Sequence, residues 1–334
     1  MMIVSSQLGQ GMIRSALMHN NANRGYLICL TGTVLLSSTG VLIRYLTETY
    51  QLPSLILALW RDIFVSLALG TALSLLTTHL RKKLNVGWRF LIFYGFILAV
   101  FNTIWTASVA LNGAAVATVL AYSSAAFTAF LDRRIFGESL GLSKLTAVIL
   151  CLVGCVLVAG AYDITAWGIN PLGILTGLLS GLAYAVYSLM GKATANRGDN
   201  AWSVLFYTFT FASGFLLLFN IVQAMATHRS LLPDLFWLGS SLTGWGALVF
   251  LAVGPTIGGF GFYMLSMGYL PASIANLIAT LEPALTAILA YLLLKEQLTP
   301  EQLAGSCVIL LGVILLRLRE WQRQLKNREQ QVAT

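Results

Sequence analysis

The stretch Leu270–Leu298, LPASIANLIATLEPALTAILAYLLLKEQL, is long enough to cross a bilayer at about 1.5 Å per residue, yet it carries an ionisable group and a proline side by side at its centre, Glu282 and Pro283. A carboxylate at membrane depth costs several kcal/mol unless it is paired, hydrated or protonated. A proline removes one backbone donor and loosens the helix a turn earlier. The stretch also has a relative within the chain. Shifted back by 158 residues without a gap, it falls on 113–140 with 9 of 28 positions identical. The alanine matches carry little weight. Glu138 and Glu296, each closing an apolar stretch before a short loop, carry more, and the register continues through Leu145/Leu303, Leu152/Leu310, Gly154/Gly312 and Leu157/Leu315. The chain reads as two related halves.

Ten apolar spans are expected, near 25–45, 53–77, 89–111, 113–132, 143–162, 171–192, 201–225, 244–268, 271–294 and 301–318. A charged fraction of 10%, against about 25% in soluble domains, and a mean hydropathy of +0.80 make this an all-α, polytopic membrane protein. The loops leave no room for a soluble domain; the longest, 226–243, holds His228, Arg229, Pro233 and Asp234. Residues 1–24 show no signal-peptide core and are expected to be disordered, although Leu8, Met12 and Ala16 would line one side of a short helix.

Lys and Arg set the orientation. With the N-terminus in the cytoplasm, 16 of the 20 fall in cytoplasmic segments, three on the opposite side (Arg44, Arg229, Lys295), and Arg61 lies inside a span. Both termini are then cytoplasmic, and the net charge of +8 is a topology signal rather than a nucleic-acid footprint. The basic tail, 319–334 with Arg317 just before it, suits anionic lipid. Five spans per half is an odd number, so the second half (171–318) enters the membrane from the opposite side to the first (25–162). Inverted repeats with a midplane site between them are a recurrent plan of secondary transporters.

At this point a resemblance can be stated. LALWRDIFVSLALG (57–70) resembles the arginine-bearing second span of the drug/metabolite transporter superfamily, of the kind built from two EamA repeats. FYMLSMGYLPASIANLIATLEPALTAILAYLLLKE (262–296) resembles its eighth and ninth spans, and GSCVILLGVILL (305–316) its tenth. The resemblance implies an exporter or exchanger of small metabolites, amino acids or related amphipathic solutes, working by alternating access in the cell membrane. Two departures stand out. Ala125 replaces the first repeat's usual proline, so the fourth span should be more regular; and Asp62 stands at a usually apolar position.

The intramembrane charges are Arg61, Asp62 and Glu282. Arg61 and Asp62 are about 100° apart on a helix and should not simply neutralise each other. Arg61 either orients an anionic substrate group, holds Glu282, or forms a structural salt bridge. Glu282 either couples transport to protons or pairs two helices. Ser273, Asn276 and Thr280 share one face and are expected to line the cavity, with Asn102, Trp105, Tyr122, Tyr184 and Tyr263 as its other walls; aromatic walls with a few polar groups suit an amphipathic ligand. Glycines at every fourth position (Gly173, Gly177, Gly181; Gly254, Gly258) point to close helix packing, with a homodimer face the weaker reading.

No Walker-type phosphate loop and no His/Cys/carboxylate spacing for a metal occurs, so neither cofactor nor catalytic residues are expected. Cys151 and Cys155 read as packing. With one arginine clearly inside the membrane, and two acids competing for it, weak or no transport of polyanions is expected. The alternative is a lipid-binding or lipid-modifying membrane enzyme, which would need ionisable groups gathered at one interface; Asp132, Arg133, Arg134 and Glu138 are the one such sequence cluster.

Overall fold

The computed structural model describes residues 2–75, 84–138, 141–158, 160, 162–163, 171–228, 231–294 and 299–333. Lys295 and Glu296 lie outside these residues, as do Arg81, Lys82, Lys83, Arg229 and His79. The described chain is helical: α1 Met2–Tyr50, α2 Ser54–Leu75, α3 Trp88–Tyr122, α4 Ser124–Phe136, α5 Leu142–Val158, α6 Pro171–Asn196, α7 Ala201–Ala226, α8 Leu231–Leu235, α9 Leu242–Leu251, a π-helical turn Ala252–Thr256, α10 Ile257–Ser266, α11 Ala272–Ala279, α12 Glu282–Leu294 and α13 Pro300–Ala333.

Among the described residues, six helices are long and apolar enough to cross a membrane: Asn23–Tyr50, Ser54–Leu75, Trp88–Trp105, Pro171–Asn196, Ala201–Ala226 and Leu242–Ser266, with Leu142–Val158 and Pro300–Leu316 apolar but shorter. Gly177 lies against both Ser108 and Leu120, which a straight helix would hold about 18 Å apart, so the chain doubles back between these two residues. Three features of the expected spans have local causes. First, the second half turns at Gly268–Pro271, where the proline ends the helix. Second, α1 begins at Met2, so the segment expected to be disordered continues the first helix. Third, the loop 226–243 contains the short helix α8.

The fourth span is not the more regular one. It breaks at Ser123, between α3 and α4, at the position equivalent to Leu281 in the second half, where α11 stops and α12 starts. In the second half the cause is Pro283, which leaves the Ala279 carbonyl without its i+4 donor; Thr280 and Leu281 tighten to i−3 bonds at 3.2 and 3.0 Å. In the first half a serine does the same work. Ser123 donates its backbone N–H (3.1 Å) and its hydroxyl (2.5 Å) to the Leu120 carbonyl, as Thr280 Oγ1 donates to Leu277 (2.6 Å). Pro255 also leaves the Leu251 carbonyl without its i+4 donor, and Thr256 Oγ1 donates to that carbonyl at 2.8 Å across the π-turn.

The helix contacts obey the two-half relation. α1 packs on α10 and α12, while α6 packs on α3 and α4; α2 pairs with α7, and α5 with α13. The relation holds at the level of residues. A Cβ on Gly154 would strike Ile309 and Gly305; one on Gly312 would meet Cys151 and Ala147. A shift of 158 converts the first set of positions into the second. Gly177 and Gly181 of the second half lie against Leu120 and Ser123 at the α3/α4 break of the first, so these glycines serve packing inside the bundle.

Two lateral aromatic seams are alike in their spacing along the helices, though the 158-residue shift does not relate them. Trp88 meets Tyr207 and Phe211 edge-on, with centroids 4.9 and 6.3 Å away; Trp245 meets Trp60 and Phe64 edge-on at 5.1 and 6.2 Å. Two turns beyond Trp88, Phe96 and Phe215 close the first seam at 5.2 Å. The matching positions in the second seam are Val253 and Ala68, and there an apolar groove of about 550 Å³ opens between α2 and α9, lined also by Leu67, Thr71 and Leu75. It faces outward, away from the polar groups described below.

The α5–α13 contact yields a paired expectation. Gly154→Leu and Gly312→Leu should each cost about 1–3 kcal/mol through overpacking and lower the melting temperature of the detergent-solubilised protein. Gly214→Leu, at a site with no heavy atom within 4 Å of an added Cβ, should be near neutral. Equal melting of all three variants would show that α5 and α13 do not meet this closely.

Candidate functional site

The fully buried polar side chains gather where the halves meet. Asn276, on α11, is their hub. Its Nδ2 donates to Thr128 Oγ1 (3.1 Å) and to Ser188 Oγ (3.3 Å), and its Oδ1 accepts from Ser124 Oγ (3.1 Å). Ser188 Oγ donates to the Tyr184 carbonyl (2.9 Å) and lies 2.8 Å from the Tyr263 hydroxyl. This arrangement uses all three bonding capacities of Ser188: one proton given, two lone pairs filled by Asn276 and Tyr263. Every member is within 2% of complete burial. Ser124 and Thr128 come from the first half; Ser188, Tyr263 and Asn276 come from the second. A satisfied network of this kind fixes the register of four helices, and each broken bond leaves a buried group unpaired.

Aromatic rings form the adjoining wall. Tyr184 stacks on Tyr263 (6.1 Å, 15°) and on Tyr187 (6.1 Å, 8°), with Phe101 at 5.1 Å; Tyr187 also meets Tyr94 at 4.8 Å and Phe260 at 5.9 Å. Glu282, half-buried at the start of α12, lies within electrostatic reach of Tyr122. The break before Glu282 turns it away from the continuous-helix direction, toward the C-terminal end of α3. Trp105 is half-buried on α3 and is not one of the rings of this cluster among the described residues.

The expected face of Ser273, Asn276 and Thr280 does not stay together as a cavity wall. Asn276 joins the network. Thr280 turns its hydroxyl to its own backbone and accepts from Cys155 Sγ (3.9 Å) through its carbonyl. Ser273 lies at the opposite end of α11, where its hydroxyl accepts from Lys144 Nζ (3.1 Å) and its backbone N–H donates to Asp132 Oδ2 (3.0 Å). Lys192 Nζ donates nearby to the carbonyls of Met267 (2.8 Å) and Leu270 (2.9 Å). Sequence reasoning missed Lys144 and Lys192 as buried ties, having counted them as loop charges. Their place next to helix ends was the available signal.

Arg61 and Asp62 do neutralise each other. Arg61 Nε lies 3.2 Å from Asp62 Oδ1, and Asn102 Nδ2 donates to Asp62 Oδ2 at 3.5 Å. The 100° between neighbouring Cα–Cβ directions is spanned by the length of the arginine side chain, which folds back along its own helix. Both residues are buried, Arg61 at 8% exposure and Asp62 at 0%. Among the described residues no group of three or more His, Cys, Asp or Glu could hold a metal ion.

The model of the EamA-like transporter family matches residues 23–160 and again 171–318. The chain belongs to that family. It is 27% identical to an uncharacterized transporter of Synechocystis (sll1319) over 66% of this chain and 64% of that protein's length, and 25% identical to the uncharacterized inner membrane transporter YicL of Salmonella typhimurium over 91% and 98%. A 30% match to the bovine solute carrier family 35 member F5 covers 39% of this chain and 24% of that protein. A solved crystal structure superimposes with a TM-score of 0.70 over 89% of this chain and 98% of the other at 18% identity, which shows the fold. This EamA protein is thus a multi-pass membrane protein of a transporter family.

The ion pair carries an expectation. Asp62→Ala leaves Arg61 buried without its partner and should destabilise the protein by about 3–5 kcal/mol, whereas Arg61→Met with Asp62→Leu should restore much of the loss. Thermal melting of the single and double variants decides it. A double variant no more stable than Asp62→Ala would mean that the pair is not self-contained.

Proposed function

We propose that this EamA protein is a secondary active transporter that exports or exchanges small amphipathic organic solutes by alternating access, as ten spans in two inverted five-helix repeats. The observation that carries this reading is the buried network of Ser124, Thr128, Ser188, Tyr263 and Asn276, assembled from both halves beside two helix breaks. Discontinuous helices at a repeat interface place polar groups at membrane depth where a solute can reach them once the halves rock apart. In the present conformation the network is sealed.

Contacts at the two ends support a cytoplasmic location for both termini. Groups that the charge count assigns to the cytoplasm meet one another: Arg24 covers the Tyr269 ring, Arg197 covers Phe90, Asn85 bonds to residues 197 and 199, and Lys192 bonds to 267 and 270. Groups assigned to the other face also meet. Tyr50 lies 2.7 Å from Thr243, and Trp60 and Trp237 donate to the carbonyls of Leu235 and Tyr50. The location is the cell membrane, and protons are the proposed coupling ion, with Glu282 as the carrier. A lipid-modifying enzyme is less well supported. Of its cluster of Asp132, Arg133, Arg134 and Glu138, Asp132 accepts from the Ser273 backbone N–H, and the neighbouring Lys144 and Lys192 are tied to the 267–273 segment.

The direct test compares metabolites inside and outside cells with and without the protein, then repeats the comparison with Asn276→Ala. Loss of one hub side chain should remove the transport difference and cost about 1–3 kcal/mol of stability. An unchanged metabolite pattern with and without the protein would reject the transporter reading. Single-cysteine labelling that put the two termini on opposite faces would reject the inverted repeats. If Glu282→Gln keeps pH-driven transport unchanged, Glu282 does not carry the proton. Saturable uptake of a sugar phosphate into proteoliposomes would overturn the expectation that polyanions are poor substrates.

A further inference from the structure

Charge accounting at membrane depth narrows the solute. Three ionisable side chains sit well inside the spans: Arg61, Asp62 and Glu282. The first two form a pair, with Asn102 on the second carboxylate oxygen, so the arginine is already occupied and the pair is neutral as a unit. The other buried ionisable groups, Asp132, Lys144 and Lys192, are at the cytoplasmic-side ends of α4, α5 and α6. Glu282 is therefore the one formal charge in the middle of the bundle, among the described residues, that no side chain of opposite sign balances. Its neighbours are phenols, Tyr122 and Tyr184, both within electrostatic reach.

We infer that the solute carries a cationic amine, which the Glu282 carboxylate and the faces of the neighbouring tyrosines receive. This rests on the transporter reading above and specifies the solute at the same site. A carboxylate held in a low-dielectric wall without a partner is costly, and an entering ammonium supplies that partner. The rings add to it: a cation over a tyrosine face gains roughly 0.5–2 kcal/mol, most when water is excluded. Tyr263 is tethered through its hydroxyl to Ser188, and Tyr184 stacks against it, so the ring wall is fixed before the solute arrives. Glu282 is half-buried, whereas Asn276 and Ser188 are completely buried. Glu282 is thus the less enclosed part of the site, and the amide–hydroxyl network is the more enclosed part. A carboxylate on the solute would find no free cation here, because Arg61 is held by Asp62.

Three indoles of similar shape separate charge from shape: tryptamine (cation), tryptophan (zwitterion) and indole-3-propionate (anion). Their binding is read as the concentration-dependent rise in melting temperature of the detergent-purified full chain, and their transport as counterflow in proteoliposomes. Tryptamine should bind at least tenfold more tightly than indole-3-propionate, with tryptophan between them. Glu282→Gln, which keeps the size and one acceptor of the side chain, should abolish that order while melting close to wild type. Tyr184→Leu should weaken tryptamine severalfold and leave the order intact. Indole-3-propionate binding as well as tryptamine, tryptamine failing to bind, or an unchanged order in Glu282→Gln would each overturn the assignment. The metabolite comparison decides separately whether the protein transports anything. Equal binding and transport of all three indoles would thus sink the charge assignment and leave the transporter reading standing.

Discussion

Lipid offers no hydrogen bonds, so every backbone or side-chain polar group placed at membrane depth must be answered from within the protein. Most of the unusual local structure of this EamA protein is an answer to that demand. Pro255 and Pro283 withhold donors from Leu251 and Ala279; Thr256 bonds the first carbonyl, and a tightened turn absorbs the second break. Ser123 frees no proline-type carbonyl but still interrupts the helix by bonding Leu120 twice. Each break shortens a helix and exposes helix ends next to a neighbour. Those ends are tolerable because polar side chains from the opposite half are already there.

The same demand explains why the halves are held together as they are. Between α5 and α13 there are glycines and close backbone approach, since association in lipid draws on packing rather than on release of water. Between α4, α6, α10 and α11 there are hydroxyls and one amide, with each proton and lone pair of Ser188 and both amide protons of Asn276 engaged. The first contact has no polar price for separation, and the second does. A motion that opened the bundle at Asn276 would have to rehydrate or rebond these groups, which a bound solute can do.

The repeat, the membrane class and the family were legible because each is written in spacing: a 158-residue shift, the recurrence of apolar spans, and a Glu-Pro pair in a known context. Element boundaries were less so. Ala125 was a misleading guide to helix regularity, because a serine two residues earlier interrupts the helix by a different route. Helical angles failed for Arg61 and Asp62. An arginine has enough rotatable bonds to reach a neighbour that its Cβ direction does not face. The buried ties of Lys144 and Lys192 were hidden for a related reason. Their partners are backbone atoms or a serine on a segment more than 70 residues away, and spacing along one helix holds no trace of them.

Where the two halves differ is more informative than where they agree. Ser124 and Glu282 occupy equivalent positions, each directly after a break and each opening a helix. Ser124 is completely buried and bonded to Asn276; Glu282 is half-buried beside a tyrosine. A scaffold needs only the serine at such a place, since a short hydroxyl ends a helix and satisfies one partner. The carboxylate costs more to keep at that depth, and the fold elsewhere avoids such costs by pairing Arg61 with Asp62. Retaining one unbalanced charge beside a prearranged wall of rings is what a site requires and what a packing contact does not, which is why the asymmetry of these two positions, rather than the shared repeat, points to the solute.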